Sequence, residues 1–385
     1  MLALTGKALL TPLERIEQPV VLIEGKSVVK VGSRTEAEIP AGATHIDYGD
    51  CVLAPGLVDI HIHGSAGHDV MQSDKQGLRR MEEFLAQRGI TSYFPTTVAA
   101  PLDTTLRALE WMANTIESSQ ADSGRAQALG IHLEGPFLSY VRRGVHLPEN
   151  LLQPSIATFE KFWEAARGHI RIMTIAPELT SASELIAEAS KRGVCVSVGH
   201  SDADLATTRA AVAAGARHAT HTFNAMRPLD HRAPGILGEV LSNPSVSADV
   251  IADGIHVHPT VVRFLLEAKG EQGAVLITDA MSAAGMPDGP YRLGGMDVEV
   301  KDGRVTRDGS LAGSVLTLDR AVRNVMEFAG WDLQKAVRIA SFNPAQVSSA
   351  KGKGEIKAGA DADLVALTEN GEVRGTMVRG QMSEG

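Results

Sequence analysis

The feature that most constrains the fold of this 385-residue chain is a regular alternation of short apolar segments with helix-like segments. Eight strand-like apolar segments occur, at 56–63, 92–98, 129–134, 170–176, 194–199, 218–222, 246–252 and 274–279. Between them, apolar residues recur at helical spacing, most clearly at 78–87, 106–116, 183–191 and 205–214. Such alternation is typical of parallel strands joined by crossover helices. It predicts an α/β fold, a (β/α)8 TIM-type barrel, with a doubly wound open sheet as the alternative.

The two ends of the chain have a different pattern, in which short strand-like segments alternate with turns. Near the N-terminus such segments lie at 20–23, 27–31 and 44–47. Near the C-terminus two more, separated by the strong hairpin signal Asn370-Gly371, lie at 363–367 and 373–378. We therefore predict a small β-sandwich domain formed by both termini, and the predicted boundaries are 1–53 and 354–385 for this domain and 54–353 for the barrel.

Composition excludes several classes of function. The 37 Lys and Arg residues against 46 Asp and Glu residues give a net charge of −9 without a basic stripe, so we predict no nucleic-acid partner. No apolar run approaches the roughly 20 residues that cross a bilayer, and no signal peptide is recognised, so we predict no membrane partner. Cys51 and Cys195 are the only cysteines and lie in apolar segments, which favours the reducing cytoplasm over a disulfide framework.

Residues that commonly bind metals fall where the predicted strands end. His61 and His63 end the first strand two residues apart, so both side chains point to one face. Two adjacent imidazoles suit Zn²⁺ or Fe²⁺, although a hydrogen-bonded histidine pair would give the same pattern. The later strands end at or just before Glu134, His200, His221, His256 and Asp279. Because barrel enzymes build their active sites at the carboxyl ends of strands, we expect these side chains to share one face.

Three of these residues form a familiar ligand set. Glu134, His200 and His221 together offer one carboxylate and two imidazoles, which leaves a coordination position open for water. Taken singly, Glu134 is better explained as a salt-bridged glutamate, and His200 and His221 each have a hydrogen-bonded core histidine as the alternative. Asp279 ends an apolar strand and suits a general base that later acts as a general acid, with a helix N-cap as its structural alternative.

The remaining histidines divide by position. His256 faces the expected site, and His258, two residues later, is its competitor. His132 lies deeper in its strand than Glu134, where a packing role is favoured. His146 follows the third strand on a loop, and loop histidines are usually exposed, so the residue by itself indicates little about function.

Seven segments together are similar to the N-acetylglucosamine-6-phosphate deacetylase family of the amidohydrolase superfamily. An HxH pair alone indicates only the superfamily, whereas HLEGP combined with HTFNAM and LAGS is typical of the deacetylases. The matching segments cover nearly the whole chain and are PGLVDIHIHG, HLEGPFLS, VGHSDA, THTFNAMRPLDHRAPG, DGIHVHP, ITDAMSAAGMPDG and LAGSVLTLDRAVRN.

The resemblance implies hydrolysis of N-acetyl-D-glucosamine 6-phosphate to D-glucosamine 6-phosphate and acetate by a barrel with a β domain from both termini. It implies that Glu134, His200 and His221 hold the principal metal. Asp279 would be the catalytic acid and base, and His146 would polarise the acetyl carbonyl. Because His61 and His63 are retained here but replaced in some members, a second metal bridged by Glu134 is predicted. The expected cofactor is one or two divalent ions, Zn²⁺ first, with Fe, Co or Mn as alternatives.

The resemblance also assigns the substrate side of the site. His256 and Arg232 would contact the phosphorylated amino sugar, with help from Asn224 and Ala225. In homodimers of this family the phosphate-binding arginine can come from the neighbouring subunit, so a homodimer is expected in which Arg232 acts across the interface. A solvated loop charge is the alternative for Arg232, and Arg227 is its nearby competitor.

Two other functions fit part of the pattern. Deaminases and cyclic-amide hydrolases share ligand types, but many carry a carboxylated lysine at the end of the fourth strand, and the segment IRIMTIAPE has no lysine. HTFNAM and LAGS argue against a deaminase. A sugar-phosphate-binding barrel without catalysis usually loses ligands, whereas this chain keeps Glu134, His200, His221 and Asp279.

Overall fold

The structure is a computed structural model, and it describes residues 1–118 and 124–383. The N-terminal segment forms seven short strands: β1 (Leu2–Thr5), β2 (Ala8–Leu10), β3 (Arg15–Glu17), β4 (Pro19–Glu24), β5 (Ser27–Ser33), β6 (Thr44–Asp47) and β7 (Val52–Pro55). Four of them form a sheet in the order β5-β4-β1-β6. Within it β1 pairs antiparallel with β4 and parallel with β6.

The central region alternates strands and helices as predicted. Its strands are β8 (Leu57–Ile62), β9 (Gly64–Ser65), β10 (His68–Asp69), β11 (Ile90–Pro95), β12 (Gln127–Ala128), β13 (Ile131–Glu134), β14 (Ile170–Ile175), β15 (Cys195–Val198), β16 (His218–Ala219), β17 (Ser247–Ile251) and β18 (Ala274–Ile277). Its helices are α1 (Lys75–Gln87), α2 (Leu102–Ser118), α3 (Ile156–Ala165), α4 (Ala182–Lys191), α5 (Leu205–Ala214), α6 (Gly235–Ser242) and α7 (Pro259–Gly273), with one 3₁₀ turn at Pro148–Asn150. Several helices begin at an acidic cap; the Asp204 carboxylate, for example, accepts the Thr207 N–H at the start of α5.

The parallel strands form two sheets, in the orders β12-β11-β8 and β13-β14-β15-β16-β17-β18. Single parallel bridges, Thr96 to His132 and Ile62 to Ala280, connect the edges of these sheets. The result is a curled parallel sheet whose buried residues pack against the helices in one large apolar core. Of the predicted third strand, 129–134, only residues 131–134 form a strand, β13, because Leu129 and Gly130 leave the sheet and separate β13 from β12.

An antiparallel sheet follows the last parallel strand. Its strands are β19 (Gly289–Leu293), β20 (Met296–Lys301), β21 (Arg304–Arg307) and β22 (Ser310–Leu311), and the helices after it are α8 (Leu318–Ala329), α9 (Leu333–Ala340) and α10 (Phe342–Val347). The sheet has its own apolar cluster, in which Leu293 and Met296 pack with Val98 and Met281 from the loops above the parallel strands. This insertion therefore covers one side of the carboxyl ends of those strands.

The C-terminal strands return to the N-terminal ones. Strands β23 (Leu364–Leu367), β24 (Val373–Val378) and β25 (Gln381–Met382) complete a six-stranded sheet in the order β25-β24-β23-β7-β2-β3. Gly371, at the predicted hairpin, has a φ of 80°. Leu4 and Val21 of one terminal sheet pack against Leu53 and Leu364 of the other. A separate sheet domain built from both termini is therefore confirmed, whereas its boundaries at residues 53 and 354 stay a prediction, of which residues 384–385 lie outside the described range. Across the described residues, no helix is both long and apolar enough to span a bilayer.

Candidate metal centre and active site

A cavity of about 310 Å³ opens where the parallel strands end. Nine of the eleven predicted site residues line it: His63, Glu134, His146, His200, His221, Asn224, Ala225, His256 and Asp279. His61 lies behind His63 and is fully buried. Arg232 is exposed and is not among the lining residues. Residues that are far apart in the sequence thus meet because each follows a parallel strand of the same curled sheet.

Glu134, His200 and His221 form one compact group that could hold a metal ion. Oε1 of Glu134 lies 3.2 Å from Nε2 of His200 and 3.0 Å from Nε2 of His221. The two imidazole nitrogens are 3.1 Å apart. All three residues are buried, so the group is held in place by the surrounding structure.

His61, His63 and Asp279 form a second such group beside the first. Nε2 of His61 and Nε2 of His63 are 3.3 Å apart. They lie 3.5 Å and 3.1 Å, respectively, from Oδ1 of Asp279. Oε2 of Glu134 lies 3.5 Å from Nε2 of His61 and 3.3 Å from Nε2 of His63. Glu134 therefore directs one carboxylate oxygen into each group.

The hydrogen bonds of two ring nitrogens show that a cation fits these groups. Nδ1 of His63 donates to the carbonyl oxygen of Thr96 at 3.0 Å, and Nδ1 of His200 donates to that of Arg142 at 2.9 Å. A neutral imidazole with a protonated Nδ1 offers a lone pair at Nε2. Those lone pairs face carboxylate oxygens, so a metal ion or a proton between them satisfies both sides. Imidazole and carboxylate donors suit Zn²⁺ and similar divalent metals.

The pKa values of the residues in the two groups agree with a site that attracts a cation. Burial lowers the pKa of His63, but hydrogen bonds to Asp279 and Glu134 outweigh it and raise the pKa to about 10. Burial likewise lowers the pKa of His221, and Glu134 raises it to about 9. Burial raises the pKa of Glu134, but His61, His200 and His221 hold it well below its usual range. The site therefore concentrates negative charge that attracts a proton or a metal ion.

Three of the candidate metal ligands have an unusual backbone conformation. His200, His221 and Asp279 have φ values of 47°, 31° and 49°, in the left-handed region that non-glycine residues rarely adopt. Each lies two residues after the end of a parallel strand, where the chain turns sharply out of the sheet. Local strain of this kind occurs where the surrounding structure holds functional side chains in place.

Comparison with known proteins decides the family. The sequence profile of the amidohydrolase family matches residues 52–382. The chain belongs to the amidohydrolase family. Amidohydrolases are metal-dependent, which agrees with the two groups above.

Within the amidohydrolases, the chain is similar to deacetylases of N-acetylated amino-sugar phosphates. The N-acetylglucosamine-6-phosphate deacetylase of Lysinibacillus sphaericus is 37% identical over 92% of this chain and 91% of its own. The N-acetylgalactosamine-6-phosphate deacetylase of Escherichia coli O157:H7 is 38% identical over 90% of each chain. The solved structure of a mutant N-acetyl-D-glucosamine-6-phosphate deacetylase from Mycobacterium smegmatis, in complex with N-acetyl-D-glucosamine-6-phosphate, has a TM-score of 0.93 at 34% identity and covers 100% of this chain and 99% of that one. The resemblance seen in the motifs is confirmed.

His146 of this amidohydrolase is buried at the cavity, although its loop position is more typical of an exposed histidine. Its Nδ1 accepts a hydrogen bond from the backbone N–H of Ala99, and its Nε2 lies 3.9 Å from Oε2 of Glu134. Burial, together with the neighbouring His200, lowers the pKa of His146 to about 3. The ring is therefore neutral near pH 7 and carries its proton on Nε2.

His256 and His258 were alternative candidates for the substrate side of the site, and their positions differ. His256 lines the cavity of the amidohydrolase, with Nδ1 2.6 Å from Oδ2 of Asp253, whereas His258 is exposed and caps α7. The ring nitrogens of His132 form hydrogen bonds with core groups, the carbonyl oxygen of Ile60 and the hydroxyl of Thr174. The packing role expected for His132 thus agrees with its contacts.

The two candidate arginines also differ. Arg227 is held by the carboxylate of Asp202, with Nη2 and Oδ2 2.9 Å apart. Arg232 lies on an exposed loop, where Asp230 accepts its backbone N–H and no ion pair of its side chain occurs among the described residues. Arg232 is therefore available to a ligand or a neighbouring subunit, but it does not reach the cavity within one chain.

Sequence reasoning missed two contributors to the amidohydrolase cavity. Asp253 orients His256, and the signal was its carboxylate three residues before the histidine in DGIH. The antiparallel insertion supplies Leu293, Ser310 and Leu311 to the lining. LAGS begins at Leu311, so that motif marks the place where the insertion reaches the cavity.

Proposed function

We propose that this amidohydrolase removes the acetyl group from N-acetyl-D-glucosamine 6-phosphate and produces D-glucosamine 6-phosphate and acetate. The observation that carries the proposal is the position of Glu134, which has one carboxylate oxygen in each of two histidine-containing groups at the cavity. Relatives over nearly the full length of the chain are named for this reaction.

The residues suited to hold the metal are Glu134, His200 and His221, with His61, His63 and Asp279 as the second group. A bound divalent ion would supply Lewis acidity, which lowers the pKa of water toward neutral pH and polarises the amide carbonyl. Zn²⁺ is our preferred metal because its usual protein ligands are imidazole nitrogen and carboxylate oxygen.

Asp279 is the proposed general base and general acid. Burial raises its pKa, but the hydrogen bond from His63 and the charge of His61 outweigh that effect and lower the pKa below its usual range. The carboxylate is therefore ionised at neutral pH and accepts a proton from the attacking water. It then gives this proton to the amine nitrogen as the C–N bond breaks, while the hydroxyl of the water remains on the acetyl carbon as acetate.

His146 is the proposed hydrogen-bond donor to the acetyl carbonyl oxygen. Its neutral ring presents Nε2–H toward the cavity, because the Ala99 N–H occupies Nδ1. A donor already in place at the developing oxyanion stabilises the transition state more than the planar amide. His256, Asn224 and Ala225 line the same cavity and are assigned to the sugar phosphate.

We extend the proposal to the architecture. The two bridges at Thr96 and Ile62 support a closed (β/α)8 barrel, spanning residues 54–353, in which the two parallel sheets are one. The exposed position of Arg232 supports a homodimer in which this arginine binds the phosphate of the partner's substrate. Both cysteines are free, which is consistent with the predicted cytoplasmic location.

N-Acetyl-D-galactosamine 6-phosphate is the second candidate substrate. A relative named for that sugar is 38% identical to this chain, and the relative above that is named for N-acetylglucosamine 6-phosphate is 37% identical. The two sugars differ only in the configuration at C4. The same metal site therefore suits both, and the residues that line the cavity determine which sugar is preferred.

Acetate release tests the proposal. The protein is assayed with both phosphorylated sugars and with N-acetyl-D-glucosamine, with chelator and with added Zn²⁺. We expect release that requires metal, depends strongly on the phosphate and is fastest with the glucosamine derivative. Faster release from the galactosamine derivative would favour the second candidate, and no release from either would refute both.

A further inference from the structure

His221 lacks the hydrogen bond from Nδ1 that orients His63 and His200 in the two metal groups. Nδ1 of His63 and Nδ1 of His200 each donate to a backbone carbonyl, at 3.0 Å and 2.9 Å. Nδ1 of His221, like Nδ1 of His61, is buried and has no hydrogen-bond partner among residues 1–118 and 124–383. The ring of His221 is therefore held through its backbone rather than through its second nitrogen.

Asp249, in the middle of β17, makes the backbone contacts that hold His221. Its fully buried carboxylate accepts the N–H of His221 at Oδ1, and its carbonyl oxygen accepts the N–H of Thr222 at 3.0 Å. Strand β16 ends at Ala219, two residues before His221 takes its left-handed φ of 31°. Asp249 thus fixes the turn that brings the imidazole of His221 within 3.0 Å of Glu134.

The carboxylate of Asp249 is hydrogen-bonded in turn to His218, which contacts Ser247. Nε2 of His218 donates to Oδ2 of Asp249 at 3.1 Å, and Nδ1 of His218 lies 2.7 Å from Oγ of Ser247. In the described part of the chain, no lysine or arginine pairs with Asp249. Burying a carboxylate without such a partner is costly, and an apolar residue of similar size would fill this strand position more favourably. A role in orienting His221 accounts for the carboxylate.

We propose that Asp249 is a positioning residue for the metal: by holding the backbone of His221, it sets the geometry and the metal affinity of the group formed with Glu134 and His200. The inference rests on the metal site of the proposed function, but it does not depend on which sugar is the substrate. Partners behind a metal ligand commonly change metal affinity by about 10- to 100-fold when they are removed.

Three variants distinguish positioning from packing. Asp249→Asn keeps an oxygen that can accept the His221 N–H, and its amide can donate to Nε2 of His218 in the other tautomer. The double variant His218→Leu/Asp249→Val removes both polar partners together, so no buried group is left unpaired. Asp249→Ala provides a second removal of the acceptor. Asp363→Asn is the matched control, since it alters a buried carboxylate that pairs with Lys353 and contacts none of the candidate ligands.

The measurement is binding of Co²⁺ to the chelator-treated full-length protein, followed by the visible absorption of the bound ion and by chelator competition, with melting temperatures recorded in parallel. We expect the double variant and Asp249→Ala to bind Co²⁺ about 10- to 100-fold more weakly with a changed spectrum. Asp249→Asn and the control should keep the affinity of the unsubstituted chain.

Three results would overturn the inference. One is unchanged Co²⁺ affinity and spectrum in the double variant. Another is a loss of affinity that follows the melting temperature and appears equally in Asp363→Asn. The third is an unsubstituted chain that binds no Co²⁺, which removes the metal site and this inference with it. Failure of acetate release, with the Co²⁺ differences intact, refutes the proposed substrate and leaves the role of Asp249 supported.

Discussion

The backbone N–H of Ala99 donates a hydrogen bond of 3.1 Å to Nδ1 of His146. This bond makes Nδ1 an acceptor, so the ring proton lies on Nε2. Burial, with His200 beside it, lowers the pKa of His146 to about 3, and the ring stays neutral across the working range of most enzymes. A loop histidine thereby becomes a fixed hydrogen-bond donor at the cavity.

Replacing His146 with leucine should reduce kcat by about 100- to 1000-fold, because one donor to the developing oxyanion is lost. KM and metal content should change little, since the proposed bond strengthens mainly in the transition state. Steady-state kinetics and metal analysis check this. His258→Leu, at an exposed helix cap, is the control and should keep normal activity. A large rise in KM with normal kcat would instead assign His146 to substrate binding.

Asp279→Asn should remove almost all turnover, by about 100- to 10,000-fold, because the amide cannot accept the proton of the attacking water. The variant should still bind metal through Glu134, His200 and His221, which keep their contacts. Rapid-quench acetate assays and metal analysis of the same sample provide the comparison. Near-normal turnover would refute the assigned role.

The two oxygens of Glu134 predict two metal ions per chain. Elemental analysis of the protein purified without chelator should find two equivalents in the unsubstituted chain and about one in His61→Asn, because that change removes a ligand of one group only. One equivalent in both proteins would show that the group of His61, His63 and Asp279 does not bind metal.

Arg232→Ala should raise KM for the phosphorylated sugar by about 10- to 100-fold, the effect of losing one charged hydrogen bond. The unphosphorylated sugar should be unaffected. Arg227→Ala is the matched control, because Arg227 is engaged by Asp202. An equal effect on both sugars would contradict the phosphate assignment.

Mixed dimers test whether Arg232 acts on the partner's substrate. A dimer of one Arg232→Ala chain and one Asp279→Asn chain contains one complete site only if the arginine comes from the neighbouring subunit. Partial recovery of activity on mixing is therefore expected, and no recovery would show that Arg232 does not complete the site of the partner subunit.

Glu82 lies away from the metal groups, and its burial predicts that the stability of the fold depends on pH. Burial raises its pKa from 4.5 to about 7, although Arg125 and Tyr93 oppose the shift. Between these values the folded chain keeps a proton that the unfolded chain loses, so the contribution of Glu82 to stability falls as the pH rises through this window. Over the whole window, the free energy of unfolding falls by about 3 kcal/mol through this group.

Glu82→Gln should therefore raise the melting temperature at pH 8 and leave it almost unchanged near pH 5. Calorimetry at the two pH values measures this difference. The neighbouring Glu83→Gln, which alters a surface pair with Arg79, should have no comparable effect. A destabilising effect of Glu82→Gln at pH 8 would mean that the ion pair with Arg125 outweighs burial.

Much of the site could be predicted because its signals are local. Each predicted strand is present, since apolar runs bounded by turns specify strands through short-range spacing. The positions of Glu134, His200, His221 and Asp279 after those strands follow from the same spacing, because parallel strands direct their carboxyl ends to one side. Residue type and strand position together predicted Glu134, His200 and His221 as one ligand set and His61 and His63 as a candidate pair, whereas the place of Asp279 beside that pair came from the structure.

The amino-acid sequence by itself thus determined the alternating fold, the sheet domain from both termini and the set of candidate ligands. Only the tertiary structure decided that His146 is buried, that Asp249 holds the backbone of His221, and that Arg232 stays outside the cavity of its own chain. The reason is physical. Strand and helix periodicity act between neighbours in the chain, whereas a loop's burial and a carboxylate's partner depend on packing between segments that are distant in sequence.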